Sequence, residues 1–136
     1  MDHVTTLRRI YELLSAHDVD GFGEWLAGDF VEHEELPGGG GTDREAVLDF
    51  FRMQIAAYPD LAMTVEDVID GGEKVVARVR LTGTHEGDLM GIPATGRSVD
   101  VNLIDIMRFG DDGLVHEHWG VFDAMAMMEQ LGAGAA

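Results

Sequence analysis

A chain of 136 residues with 46% apolar content has the size of one domain with a single core, and its net charge of −17 sets its surface against phosphate. Nucleic acid and anionic membrane are therefore not expected as partners. The absence of cysteine excludes disulfides, thiolate nucleophiles and zinc–thiolate centres. Lys74 is the only lysine, and the acids are scattered along the chain, as on a solvated surface or one suited to high salt. The first residues, MDHVTTLRRIYELL, alternate charge with apolar residues in helical rhythm and do not resemble a signal peptide. No apolar run approaches the roughly 20 residues of a membrane span, so the expected compartment is the cytoplasm.

Val4, Leu7, Ile10, Tyr11 and Leu14 predict an amphipathic helix from about Val4 to Ala16. Asp18 or Asp20 can cap a short second helix carrying Phe22, Trp25 and Leu26. Asp29-Phe-Val-Glu-His33 reads as a brief extended piece with Val31 and His33 on one face, and Pro37 with Gly38 to Gly41 makes a loop. Thr42-Asp-Arg-Glu45 is a capping box that starts a third helix bearing Val47, Leu48, Phe51 and Ile55. That helix stops near Tyr58-Pro59, because proline disfavours helix in the residue before it. The period then changes to two. Leu61 to Ile69 and Glu73 to Thr84 read as strands joined at Asp70-Gly71-Gly72. A turn-rich loop, Gly87 to Gly96, precedes the strands Ser98 to Phe109 and Leu114 to Phe122, which Gly110 to Gly113 connects. Met125, Met128 and Leu131 suggest a closing helix ending at Gly132. The whole chain, 1–136, is thus one α+β domain of three helices followed by four antiparallel strands and a closing helix, with the helices on one face of a curved sheet.

Alternate side chains of a strand face opposite ways. Asp105 is the one charged residue on a face shared by Val99, Val101, Leu103, Met107 and Phe109. Leu114, His116, His118 and Phe122 share a face of the last strand, with Gly120 between. If Phe109 pairs with Leu114, Asp105 stands opposite His118 and Met107 opposite His116; a bulge in the turn would shift this register. A carboxylate beside an imidazole on an apolar face is either an acid/base pair or a buried ion pair that fixes register. His33 alone is ambiguous, His85 lies at a pocket rim or faces water, and Trp119 with the Met125 to Met128 cluster is expected in the core. No zinc motif occurs; chelation by His116 and His118 from one strand face is the weaker rival. No Gly-x-Ser-x-Gly elbow is present, and Gly38 to Gly41 lacks the ending of a phosphate loop. On the opposite sheet face Val76, Ile104 and Ile106 add apolar surface that points to a homo-oligomer.

Gly83-Thr-His-Glu-Gly87, Gly91-Ile-Pro-Ala-Thr-Gly-Arg97, Met107-Arg-Phe-Gly-Asp-Asp-Gly113, Glu117-His-Trp-Gly-Val-Phe-Asp123 and Glu129-Gln-Leu-Gly132 together resemble the SnoaL-like polyketide cyclases of the nuclear transport factor 2-like and ketosteroid isomerase-like superfamily. The resemblance implies a cone-shaped α+β barrel around a hydrophobic pocket, assembled as a homodimer or homotetramer on the sheet. It implies cyclisation of a small apolar or aromatic polyketide ester by intramolecular aldol condensation, with no metal and no cofactor. A pocket aspartate removes the proton, and histidines and waters steady the enolate. His33, His118 and Asp123 match by motif, and Asp105 joins them by strand parity. Either Asp105 or Asp123 is the proton acceptor, and Asp123 can instead cap the last helix. Val101, Leu103, Met107, Phe109 and Phe122, with His85 and Trp119, are the expected substrate contacts. The alternatives are a non-catalytic small-molecule binder, an isomerase or an epoxide hydrolase. An isomerase wants a pocket tyrosine, whereas Tyr11 and Tyr58 are both on helices; an epoxide hydrolase wants an Asp-Arg-Asp set, whereas Arg108 faces away from Asp105.

Overall fold

The computed structural model describes residues 2–37 and 40–132. Asp2 opens α1 (His3–Ser15) by accepting the Thr5 N–H at 2.7 Å, and Asp18 caps the short α2 (Val19–Gly23) through the Gly21 N–H at 2.9 Å. The chain then extends as β1 (Leu26–Glu32). Asp43, one residue beyond the expected threonine, caps α3 (Arg44–Ala57) by accepting the Ala46 N–H at 2.9 Å. Four strands follow, β2 (Ala62–Gly71), β3 (Lys74–Thr84), β4 (Ser98–Phe109) and β5 (Val115–Phe122), and α4 (Ala124–Leu131) closes the chain. Gly132 ends α4 with φ of 79°, a left-handed cap that glycine adopts without strain.

Two expectations are corrected here. The sheet has five strands in the order β1-β5-β4-β3-β2, because the segment expected to be a brief extended piece is a full strand running parallel to β5. Phe22, Trp25 and Leu26 are spaced as on a helix, but α2 ends at Gly23 and Leu26 already pairs with Val115. The second correction is the β4–β5 register. Asp105 stands opposite Gly120, and Met107 opposite His118. Phe109 pairs with Val115 instead of Leu114, and a bulge then places His116 outside the ladder. The two one-residue displacements add to two, so the facing of every residue from Glu117 to Phe122 is kept.

The core lies between the helices and the concave sheet face. β3 buries Val75, Ala77, Val79 and Leu81 in strict alternation, and β4 buries Val99, Val101, Leu103 and Met107 beside them. α1 adds Leu7, Ile10, Tyr11 and Leu14 at helical spacing and rests on β2, while α3 rests on β1 and α4 on β4. Among the described residues no helix covers the convex face, and Ile69, Ile104 and Val121 are exposed there. Among the described residues no helix is long and apolar enough to cross a membrane.

Candidate active site

Asp105 sits mid-β4 between Leu103 and Met107 on the concave face, only 6% exposed. His118 on β5 is its diagonal neighbour, and its Nε2 lies 2.8 Å from Asp105 Oδ1. The other ring nitrogen, Nδ1, lies 2.5 Å from Oε1 of Glu32, which β1 brings inward at 4% exposure. Each imidazole nitrogen thus faces a carboxylate oxygen, and only the imidazolium donates to both. Burial alone would drive the His118 proton off. The hydrogen bonds to Asp105 and Glu32, and their negative charges, outweigh it and push the His118 pKa up to about 10. The Tyr11 hydroxyl, from α1, donates to Asp105 Oδ2, so both oxygens of that carboxylate are held. Burial, and then the Asp105 charge, push the Tyr11 hydroxyl well above its ordinary range.

Glu34 completes the group from just beyond β1. Its backbone N–H donates to Glu32 Oε1 at 3.0 Å, and burial, reinforced by the Asp105 and Glu32 charges against the pull of His118, raises its carboxyl to about 7. The strand position facing Asp105 is Gly120, and the cluster occupies the space a side chain would need. A Cβ there would lie 2.6 Å from Asp105 Oδ1, 2.8 Å from His118 Cε1 and 3.0 Å from Glu34 Oε1. These side chains form one wall of a pocket with about 950 Å³ of empty space, counting its open mouth. Leu14, Phe22, Phe30, Phe51, Leu103 and Phe122 are among its apolar walls. A charged, hydrogen-bonded chain running Glu32–His118–Asp105–Tyr11 therefore meets an apolar cavity, an arrangement able to move a proton or to orient a polar group of a small apolar ligand.

Residues 4–131 match the family described as SnoaL-like polyketide cyclase. The chain belongs to that family. Among solved structures, IdmH from Streptomyces antibioticus, proposed to be a polyketide cyclase, is similar at 32% identity with a TM-score of 0.84, covering 97% of this chain and 99% of IdmH. TsrD from Streptomyces laurentii is 30% identical with a TM-score of 0.84, covering 96% of each chain. AclR from Streptomyces galilaeus, proposed to be a hydroxylase, shares the fold at 24% identity with a TM-score of 0.87, covering 98% of this chain and 87% of AclR. A comparison with curated proteins gives no match.

Of the site residues expected from sequence, this SnoaL-like chain brings Leu103, Asp105, Met107, His118 and Phe122 together on the pocket wall. The others lie elsewhere. Val101 is buried in the core, and Phe109 is buried against the His3 ring, with centroids 4.5 Å apart. His33 is on the convex face, 2.7 Å from Glu117 Oε2 and stacked on Trp119 at 4.7 Å. Trp119, expected in the core, pairs with Ile106 on that outer face and carries the Lys74 ammonium 5.0 Å above its ring. The strand alternation that turns His118 inward turns Trp119 outward. His85 is fully buried with Nδ1 3.0 Å from Thr95 Oγ1, beside Tyr58 and off the pocket lining. Asp123 is exposed and caps α4, accepting the Ala126 N–H at 3.0 Å. In α4 it is Met127 and Leu131 that face inward, while Met125 is exposed. His116, bulged out of the ladder, is hydrogen-bonded to Asp112 at 2.9 Å and lies 3.2 Å from the Asp29 carboxylate rather than pairing across from Met107.

Tyr11, Glu32 and Glu34 escape a reading built on the C-terminal strands. Each had a signal. Tyr11 lies on the apolar stripe of α1, where a buried hydroxyl needs a partner. Glu32 and Glu34 alternate with Val31 and His33, so they share the inward face of Phe30. Arg108 lies outward as expected, its Nε 2.5 Å from Glu117 Oε1. Among the described residues no group of three or more His, Asp or Glu side chains is placed to hold a metal ion.

Proposed function

We propose that the protein is a polyketide cyclase-like enzyme that closes a ring by acid–base aldol chemistry on a small apolar carbonyl compound, without metal or cofactor. The observation that carries this reading is the chain Glu32–His118–Asp105–Tyr11 at the wall of an apolar pocket. Asp105 removes a proton from the carbon next to a carbonyl. The resulting enolate carbon forms the new carbon–carbon bond with a second carbonyl of the same molecule, and the alkoxide so formed takes the proton back from Asp105. While Asp105 is protonated it is a poorer acceptor, so the Tyr11 O–H and the His118 N–H are free to turn to the enolate oxygen. Glu32 keeps His118 charged throughout. The Phe, Leu and Met walls exclude water and fold the flexible substrate on itself.

Membership of the SnoaL-like polyketide cyclase family and the likeness to IdmH support the same reaction class. An isomerase is the second reading, favoured by the Tyr11 hydroxyl on Asp105, a pocket tyrosine that sequence alone did not offer. The outward Arg108, paired with Glu117, speaks against an epoxide hydrolase.

The test is to measure ligand binding and turnover separately for Asp105→Asn and Asp123→Ala, with polyketide methyl esters as substrates. Asp105→Asn is expected to keep binding and lose about 10²- to 10⁴-fold in turnover. Asp123→Ala, which removes a helix cap, is expected to cost about 1 kcal/mol of stability and to leave turnover intact. Loss of turnover in Asp123→Ala with full activity in Asp105→Asn would reverse the assignment. A ligand that binds and is never converted by the unsubstituted protein would make it a binding protein.

A further inference from the structure

The face of α3 toward the pocket carries Val47, Phe50, Phe51 and Gln54, at positions i, i+3, i+4 and i+7. Three are apolar and the fourth is a carboxamide. Gln54 is 6% exposed, and among the described residues its side chain has no hydrogen-bond partner, while its backbone carbonyl accepts the Tyr58 N–H at 2.8 Å. Among the described residues the fully buried unpaired side-chain polar atoms are Tyr58 Oη and His85 Nε2, not those of the Gln54 amide, which lines the pocket, where leucine or methionine would fill the same place on the stripe with no polar group to satisfy. Nothing in the packing of α3 asks for glutamine.

Its position gives it a use. The start of α3 is tied to the acid cluster, since the Glu32 N–H donates to Thr42 C=O at 2.7 Å. The far end is tied to the loop before β4, where Glu86 and Gly87 N–H groups both donate to Ala57 C=O at 3.1 Å. Gln54 stands ten residues past the first residue of α3, on the order of 15 Å along the axis. The loop before β4 sends Leu89 and Met90 into the pocket lining. The pocket lining therefore carries an acid–imidazole group on its strand side and a neutral amide toward the C-terminal part of α3, with aromatic and aliphatic walls.

We propose that the Gln54 carboxamide recognises a neutral oxygen, a carbonyl or hydroxyl, at the end of the substrate remote from Asp105. This rests on the reading of the pocket as the substrate site and narrows the substrate to an elongated apolar molecule oxygenated at both ends. An amide suits a neutral oxygen because it offers both donor and acceptor, and among the described lining residues the charged ones, Glu32, Glu34, Asp105 and His118, all belong to the acid–imidazole group. A site built to hydrogen-bond an oxygen rejects the analogue lacking it, because the site's own polar group is then left unpaired.

The experiment compares 2-naphthol with 2-methylnaphthalene, which replaces the hydroxyl by a methyl group of similar size. Binding is followed by NMR of the methionine methyl groups, since Met63, Met90, Met107 and Met127 all line the pocket. In Gln54→Met the preference for 2-naphthol is expected to fall about fivefold, with 2-methylnaphthalene bound as well or better and the melting temperature not lowered. An unchanged preference would overturn the proposal, as would equal weakening of both probes with a lower melting temperature, or failure of both to bind the unsubstituted protein. Turnover plays no part in the measurement. An inactive protein leaves a positive result standing, and a negative result leaves the acid–base reading to be judged on Asp105→Asn.

Discussion

Glu32→Gln replaces one carboxylate of the His118 clamp by a neutral amide of the same shape. His118 lies at about 10 where an ordinary imidazole lies at 6.5, a preference for the charged form of roughly 5 kcal/mol. Burial opposes that preference, so the whole of it comes from Asp105 and Glu32, each hydrogen-bonded to one ring nitrogen. With one carboxylate gone, the His118 pKa is expected to fall by between one and two pH units, roughly 2 kcal/mol. Because the folded-state value is raised, this stabilisation is complete below pH 6.5 and is lost as pH rises through about 10. The unfolding free energy of the unsubstituted protein should therefore decline across that window, and in Glu32→Gln the decline should be smaller and end at lower pH. NMR of the His118 Cε1–H against pH reads the ionisation directly, and urea unfolding at neutral and alkaline pH reads its cost. The alkaline limb of turnover should move with it, since neutral His118 has one donor instead of two. An unsubstituted His118 that titrates below pH 7, or identical titration in the two proteins, would refute the clamp.

Gly120→Ala tests the space the cluster occupies. A Cβ 2.6 Å from Asp105 Oδ1 must displace that carboxylate from His118, at a cost of about 1–3 kcal/mol, so the variant should melt lower and lose turnover while remaining folded; unaltered turnover would show that Gly120 is not required. Self-association is the other expectation, because Ile69, Ile104 and Val121 are 62%, 42% and 69% exposed on the sheet face that no helix among the described residues covers. Light scattering should report a dimer or larger at micromolar concentration, dispersed by Ile104→Glu, and a monomer at every concentration would refute it.

The α+β class, the helix stripes and the four C-terminal strands are legible in the sequence because each rests on a single strong period. β1 is not. Its seven residues include Gly28 and a bulge between Leu26 and Val31, so no clean alternation survives, and Phe22, Trp25 and Leu26 imitate one turn of helix. What makes Leu26–Glu32 a strand is the edge of β5, some ninety residues later in the chain, and a parallel partner at that separation leaves no local trace. The cost is specific: without β1 in the sheet, Glu32 has no reason to face His118, and the imidazole looks like half of a pair instead of the centre of a clamp.

For the Asp105–His118 pair itself, facing proved sturdier than register. Direct opposition was the wrong arrangement, yet the two side chains meet at 2.8 Å because a displacement of two residues preserves the face and Gly120 leaves the diagonal open. Which positions look inward is set by the burial of the entire face, whereas register depends on a turn and a bulge at the rim. The same reasoning explains the residues that went astray. His33 and Asp123 match by motif, and a motif does not say which way a side chain points; Asp123 takes the other role open to it, the cap of α4. Trp119 is next to His118 in sequence and is for that reason on the other side of the sheet. Tyr11 and Gln54 were the inverse case, polar groups on helix stripes that face inward, hidden because an apolar stripe reads as core whatever polar atom one member carries.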